Sequence, residues 1–152
     1  MNILVTGSRG MVGSSFVRIL KAQHPDWNLL TPARQELDLS QQEAVANYFK
    51  TSSPIDLVIH AASRVGGIKA NSDDLAGYLS DNLKISLNVI DAAHQNNIPR
   101  LINLGSSCMY PRDFGRPLIE EDILAAPLEP TNEGYALAKI SAYKLCAYLS
   151  KQ

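Results

Sequence analysis

Residues 1–13 read "MNILVTGSRGMVG", an apolar run from Asn2 to Thr6 that breaks into three glycines spaced three apart. The run suits a buried parallel strand. Behind it, residues 11–23 carry Met11, Val12, Phe16, Val17 and Leu20 along one helical face, so the glycines stand where a strand turns directly into a helix. Gly7 permits a tight turn, Gly10 lets backbone come close to whatever lies above it, and Gly13 allows close packing of helix on sheet. A helix start leaves its first N–H groups without intrahelical partners, which makes it a ready site for a pyrophosphate. The spacing is G-x-x-G-x-x-G, whereas the dinucleotide fingerprint needs glycine where this chain has Ser8. Taken alone, the stretch is open to two readings: a phosphate cradle, or a glycine-rich turn that holds nothing.

Further along, "NLL" (28–30), "DLVIH" (56–60) and "LINLG" (101–105) are short apolar runs of the same kind, separated by helical patterns. "SQQEAVANYF" opens with Ser40 as expected N-cap and Glu43 at the third helical position, a capping box. A long helix is expected from about Asp74 to Asn96, with acidic residues in its first turn and "NNIP" as its stop, and a last one from about Asn132 to Ser150. Strand and helix alternate throughout, which predicts an α/β fold: a Rossmann-type, doubly wound parallel sheet. Residues 106–131, with Pro111, Pro117, Pro127 and Pro130, form the one long irregular stretch, and loops at the carboxyl ends of strands are where such folds place their sites.

The chain has 152 residues, enough for one domain, and is 45% hydrophobic, enough for a core. A net charge of -1, from 14 basic and 15 acidic residues with no long run of either sign, excludes polyanion binding as the main function: neither nucleic acid nor an anionic membrane is an expected partner. The amino terminus lacks a basic n-region, and no apolar run reaches the roughly 18 residues of a membrane span, so the expected location is the cytoplasm. Cys108 and Cys146 form neither a disulfide framework nor a metal-type cluster, and no metal site is expected.

The charges near the glycines bear on which dinucleotide fits. An NAD site usually offers an acidic residue to the ribose 2′-hydroxyl, whereas here the second strand is followed by "TPARQELD". Arg34 is the charge nearest that strand's end and Arg9 lies within the glycine turn, so two guanidiniums are available for a 2′-phosphate, and NADP is favoured over NAD. Asp38 is a candidate acceptor for the adenine amine. A second set of residues handles protons. Tyr135 and Lys139 are four apart on an expected helix and face the same way. An ammonium beside a phenol lowers its pKa from about 10. Ser106 follows the fourth strand and could reach a substrate carbonyl held beside Tyr135, so the three residues suit hydride transfer to or from a carbonyl.

In order and spacing, "GSRGMVG", "DLVIHAA", "VGGI", "GSSCMYP" and "EPTNEGYALAK" resemble the amino-terminal half of the GDP-L-fucose synthase family, a branch of the extended short-chain dehydrogenase/reductases. The most specific element is "GSSC" with the tyrosine of "YALAK" 29 residues after its first serine. The resemblance implies epimerisation of GDP-4-keto-6-deoxy-D-mannose at the two carbons flanking its ketone, then reduction of that ketone with NADPH. It implies that Tyr135 protonates the C4 oxygen, that Lys139 tunes Tyr135 and holds the nicotinamide ribose, and that Ser106 polarises the carbonyl. Cys108 then moves protons on the neighbouring carbons, while Cys146 is a small core residue. Met11 and Val12 in the glycine loop, and Ala61 and Ala62 of "HAA" beside His60, are expected to line the cofactor groove. The family's chains run on for about as long again, with a further strand, a sugar-nucleotide-binding domain and a second acid/base histidine. Neither His24, His60 nor His94 matches that histidine, so the expectation is a nucleotide-binding domain with half of the chemistry. Its expected partners are a GDP-sugar and either a second copy or a carboxy-terminal half. Two alternatives are a non-catalytic nucleotide-binding module and an epimerase or dehydratase of the same extended family acting on another nucleotide sugar.

Overall fold

In the computed structural model, which describes residues 1–52 and 54–152, four parallel strands form one sheet. They are β1 (Asn2–Thr6), β2 (Asn28–Leu30), β3 (Leu57–His60) and β4 (Leu101–Asn103), in the order β2-β1-β3-β4. Five helices accompany them: α1 (Met11–Gln23), α2 (Gln42–Thr51), α3 (Ile68–Asp73), α4 (Leu75–Gln95) and α5 (Glu133–Leu149). The chain divides into two compact units, residues 1–63 with 84–104, and residues 64–83 with 105–152.

The first unit holds the whole sheet. Alternation along the strands sends Ile3, Val5 and Ile59 to one face, where Phe16, Val17 and Leu20 of α1 cover them. Leu4 and Val58 point the other way, against Val45 and Phe49 of α2 and Val89, Ala92 and Ala93 of α4. Helices on both faces explain why these strands read as unbroken apolar runs instead of alternating ones. The expected Rossmann-type parallel sheet is therefore present. Two residues assigned to the buried stripe of α1 lie elsewhere: Met11 is 86% exposed and Val12 43% exposed. They sit in the first helical turn, before α1 reaches the sheet face that Phe16 covers.

Other boundaries shift for local reasons. Ser40 does not cap α2; Gln41 occupies the N-cap position without a side-chain bond. Both the Ser40 amide (2.9 Å) and its hydroxyl (2.8 Å) instead donate to Oδ1 of Asp38. This Asx-type turn competes with capping and wins. β4 ends at Asn103, two residues short of the apolar run. α4 has no acidic residue in its first turn. Asp74 stands just before that turn and accepts the Gly77 N–H at 3.0 Å.

The second unit contains α3, the first nine residues of α4, α5, and three single turns of 3-10 helix at Ser107–Met109, Glu120–Asp122 and Pro130–Asn132. Its core is Met109, Leu128, Ala136 and Ile140. The proline-rich stretch is fastened by Arg116, whose guanidinium grips both oxygens of buried Asp122 (2.7 and 2.9 Å). Arg64 does the same for the other segment, bridging Asp74 (2.8 Å) and Asp81 (3.0 Å) over the Tyr78 ring.

Candidate active site

In the first unit the strand order turns back between β1 and β3, since the chain goes from β1 to β2 on one side and to β3 on the other. The carboxyl ends of strands at such a switch point are where doubly wound sheets bind ligands. Gly7 follows β1 directly with φ +67°, and a Cβ there would stand 2.7 Å from the Ala62 nitrogen. Only glycine accepts both constraints. At Gly13, a Cβ would meet the Gly7 carbonyl carbon at 2.7 Å, so helix and turn touch through bare backbone. The Gly10 N–H closes the turn onto the Gly7 carbonyl at 2.9 Å. Gly10 is also the N-cap of α1 and offers no side chain to the helix start. The N–H groups of Met11, Val12 and Gly13 therefore remain available to an anion.

The two arginines are both exposed. Arg9 stands in the glycine turn, and Arg34 projects from a turn whose Ala33 and Leu37 are buried beneath it. The Ser8 hydroxyl, 3.4 Å from the Thr31 carbonyl, ties the glycine turn to the segment after β2. Asp38 is held below the ordinary aspartate pKa by the Ser40 amide and hydroxyl, against a smaller upward push from burial, with the Arg34 charge also helping. It is thus an anion with one oxygen already engaged. Ala61 and Ala62 lie half-buried beside Gly7. His60 ends β3 fully buried, its Nδ1 2.8 Å from the Thr6 hydroxyl.

The four residues expected to be catalytic, Ser106, Cys108, Tyr135 and Lys139, all fall in the second unit. The Ser106 hydroxyl oxygen accepts the Cys108 N–H at 3.3 Å, and the Ser106 N–H donates to the Met109 sulfur at 3.3 Å. That fixes the serine and leaves its O–H able to donate. Met109 packs on Ala136 and Ile140, with Cys108 against the same cluster, so the serine–cysteine turn is moulded onto α5. Tyr135 and Lys139 lie one turn apart in α5, with the Lys139 ammonium 5.9 Å from the centre of the Tyr135 ring. Tyr135 is half-buried and Lys139 only 3% exposed. Burial pushes the Lys139 pKa below the usual lysine value. Cys146 is half-buried within α5, and burial pushes its thiol up, away from reactivity. Among the described residues, no cluster of candidate metal ligands occurs, and no helix is long and apolar enough to cross a membrane.

Two features escape a reading of the sequence. Asn82 is buried and holds the Arg64 backbone from both sides, accepting its N–H (2.7 Å) and donating to its carbonyl (3.0 Å). Asn132, just before α5, donates through Nδ2 to the Cys108 sulfur at 3.2 Å. Its position before a helix is the only local signal, and that signal points to capping.

Residues 3–152 match the NAD dependent epimerase/dehydratase family. The GDP-L-colitose synthase of Yersinia pseudotuberculosis is 45% identical over all 152 residues, which cover 48% of that protein. The GDP-L-fucose synthase of Escherichia coli is 45% identical over 99% of this chain and 46% of its own length. Among solved structures, the GDP-mannoheptose C4 reductase of Campylobacter jejuni with NADP bound superposes with a TM-score of 0.93 at 34% identity, covering 99% of this chain and 47% of that one. The chain thus spans about half the length of the relatives it matches. Family match, parallel sheet and glycine-turn geometry agree, and the chain belongs to the NAD dependent epimerase/dehydratase family.

Proposed function

We propose that this sequence carries the cofactor-binding and proton-handling residues of an NADPH-dependent epimerase/reductase that converts GDP-4-keto-6-deoxy-D-mannose to GDP-L-fucose. The observation that carries the reading is the second unit's turn: Ser106 and Cys108 are fixed side by side and packed on the helix that presents Tyr135 and Lys139. A binding module without catalysis has no use for a buried lysine aligned with a tyrosine, because burying that ammonium is costly.

NADPH, when bound, supplies the hydride. The N–H groups of Met11, Val12 and Gly13 would hold its pyrophosphate, Arg9 and Arg34 its 2′-phosphate, and Asp38 its adenine amine, with Ala61 and Ala62 admitting the nucleotide close to the backbone. Lys139 would hold the nicotinamide ribose and place a positive charge near the Tyr135 phenol. Ser106 donates a hydrogen bond to the ketone oxygen, which makes the hydrogens on both flanking carbons more acidic. Cys108 exchanges a proton at those carbons. Tyr135 delivers its phenolic proton to the C4 oxygen as that carbon is reduced, and takes a new one from solvent.

The reading is tested by mixing protein carrying this sequence with NADPH and GDP-4-keto-6-deoxy-D-mannose and following the loss of reduced nicotinamide absorbance. No loss above a no-enzyme control sinks it. A second reading, another GDP-linked keto sugar as substrate, is favoured by the colitose synthase and heptose reductase likenesses. Product identification separates the two. Two free thiols fit a reducing compartment, and we place the protein in the cytoplasm. β4 is an edge strand among the described residues, with Ile102 44% exposed, and we expect it to support self-association or pairing with another chain.

A further inference from the structure

We infer that Asn132 is a positioning residue for Cys108: its side-chain amide donates to the sulfur and holds it in place for proton exchange. The inference rests on the role proposed above for Cys108.

Asn132 occupies the N-cap of α5, where an asparagine ordinarily turns its Oδ1 onto the N–H groups of the first helical turn. Here it does not. No side-chain cap bond forms, and Oδ1 is buried without a hydrogen-bond partner among the described residues. The helix loses a cap and the buried oxygen goes unsatisfied, both of which cost stability. What the side chain gains is a bond from Nδ2 to the Cys108 sulfur at 3.2 Å. A residue that breaks its local rule and spends its donor elsewhere is the pattern of a functional site.

The chemistry of the contact has a direction. An amide N–H donated to sulfur strengthens when the sulfur is an anion, since charge-assisted hydrogen bonds are the stronger kind. It is the amide's nitrogen, not its oxygen, that faces the sulfur. The donor is also held firmly. Glu129 accepts both the amide (3.2 Å) and the hydroxyl (2.9 Å) of Thr131, and the Asn132 N–H donates to the Glu129 carbonyl at 3.2 Å. On the other side, Ser106 anchors the Cys108 backbone, so donor and sulfur are each preset before any substrate arrives.

The test is alkylation of the full chain by iodoacetamide in a Cys146→Ser background, so that Cys108 is the sole thiol. Asn132→Leu keeps the approximate shape and removes the donor; Asn132→Ala serves if the leucine variant does not fold. Loss of a charge-assisted bond lowers the thiolate fraction about ten- to hundredfold. The greater nucleophilicity of a more basic thiolate returns about half of that on a logarithmic scale. The expected result is alkylation about three- to tenfold slower at about pH 7, with the order reversed at a pH alkaline enough that the thiolate fraction no longer limits either protein and only the difference in nucleophilicity remains. Equal rates at about pH 7 overturn the inference, as does an equal slowing at both pH values, which marks altered packing alone. Neither cofactor nor sugar enters this assay, so a failure of the proposed turnover leaves its outcome readable.

Discussion

The glycine turn after β1 and the serine–cysteine turn after β4 both present groups for chemistry, but they are built from different materials. In the proposed function residues 7–13 act through backbone: Gly7 and Gly13 are demanded by φ and by contact, and the working groups are N–H donors that any residue but proline would supply at Met11 or Val12. Residues 105–110 act through side chains. There the two proposed working side chains each have a partner, Ser106 the Cys108 amide and Cys108 an asparagine 24 residues away. A backbone site is specified by where glycine occurs, whereas a side-chain site is specified by what the fold brings to it. The first is expected to tolerate most substitutions outside its glycines, and the second to fail one chemical step at a time.

That contrast can be broken most sharply at Tyr135. In active protein carrying this sequence, Tyr135→Phe is expected to slow ketone reduction by about 10²–10⁴-fold while solvent deuterium still enters the sugar. Cys108→Ser should do the reverse, slowing deuterium uptake first. Nuclear magnetic resonance of the sugar and nicotinamide absorbance read the two steps separately. If both variants lose both steps together, the side-chain site works as one unit and the separation of roles is wrong.

Gly7→Ala tests the backbone side. The added Cβ enters the Ala61–Ala62 backbone and adopts φ +67°, so unfolding by denaturant should show a loss of about 1–3 kcal/mol from strain alone, and more from the clash. Met11→Ala, by contrast, should leave NADPH affinity nearly unchanged, because its N–H remains. A large loss in calorimetric titration of the Met11 variant would show that the loop works through side chains after all.

Smaller is the effect at Arg34, which with Arg9 is where the backbone site is proposed to borrow side chains for selectivity. Arg34→Ala should weaken NADPH binding by about ten- to hundredfold and leave NADH binding alone, since a charge-assisted contact to a phosphate is worth about 1.5–3 kcal/mol. Fluorescence titration with both cofactors decides it. Equal weakening of the two would place Arg34 in folding instead.

The smallest expected effect concerns the proline-rich loop of the second unit. Burial pushes the Asp122 carboxyl up, but the Ile119 amide and the Arg116 guanidinium outweigh it and hold the pKa below the ordinary value. A carboxylate whose folded pKa is depressed contributes stability that is present above its unfolded value, about 3.9, and is lost as pH falls through the folded value. Arg116→Ala removes one of those holds. The midpoint of acid unfolding, followed by circular dichroism, should then rise by a few tenths of a pH unit or so. An unchanged midpoint would mean the clamp does not contribute to folding.

How much of this was legible in advance varied with the range of the interactions. The strands and the long helices showed in runs and periodicities, and the glycine turn in spacing, since burial on both faces and a positive φ leave local marks. α3 left none: Ile68 is 72% exposed, and its six residues offer no apolar face to read. The break at Asp74 was equally silent, because an acidic residue reads the same in a first helical turn as at a cap. Ser40 misled because Asp38, two residues earlier, competes for the hydroxyl that capping needs.

Sequence by itself determined the α/β class, the alternating strand faces, the need for glycine at positions 7 and 13, and the one-turn spacing of Tyr135 and Lys139. Each follows from bond geometry and repeat, which a few neighbouring residues settle among themselves. Tertiary structure decided that Lys139 would be buried, that Ser106 would be pinned by Cys108 and Met109, and that Asn132 would give up capping for the Cys108 sulfur. Those outcomes depend on which segments pack together, and hydrogen-bond donors are assigned to acceptors only after packing has removed water from around them.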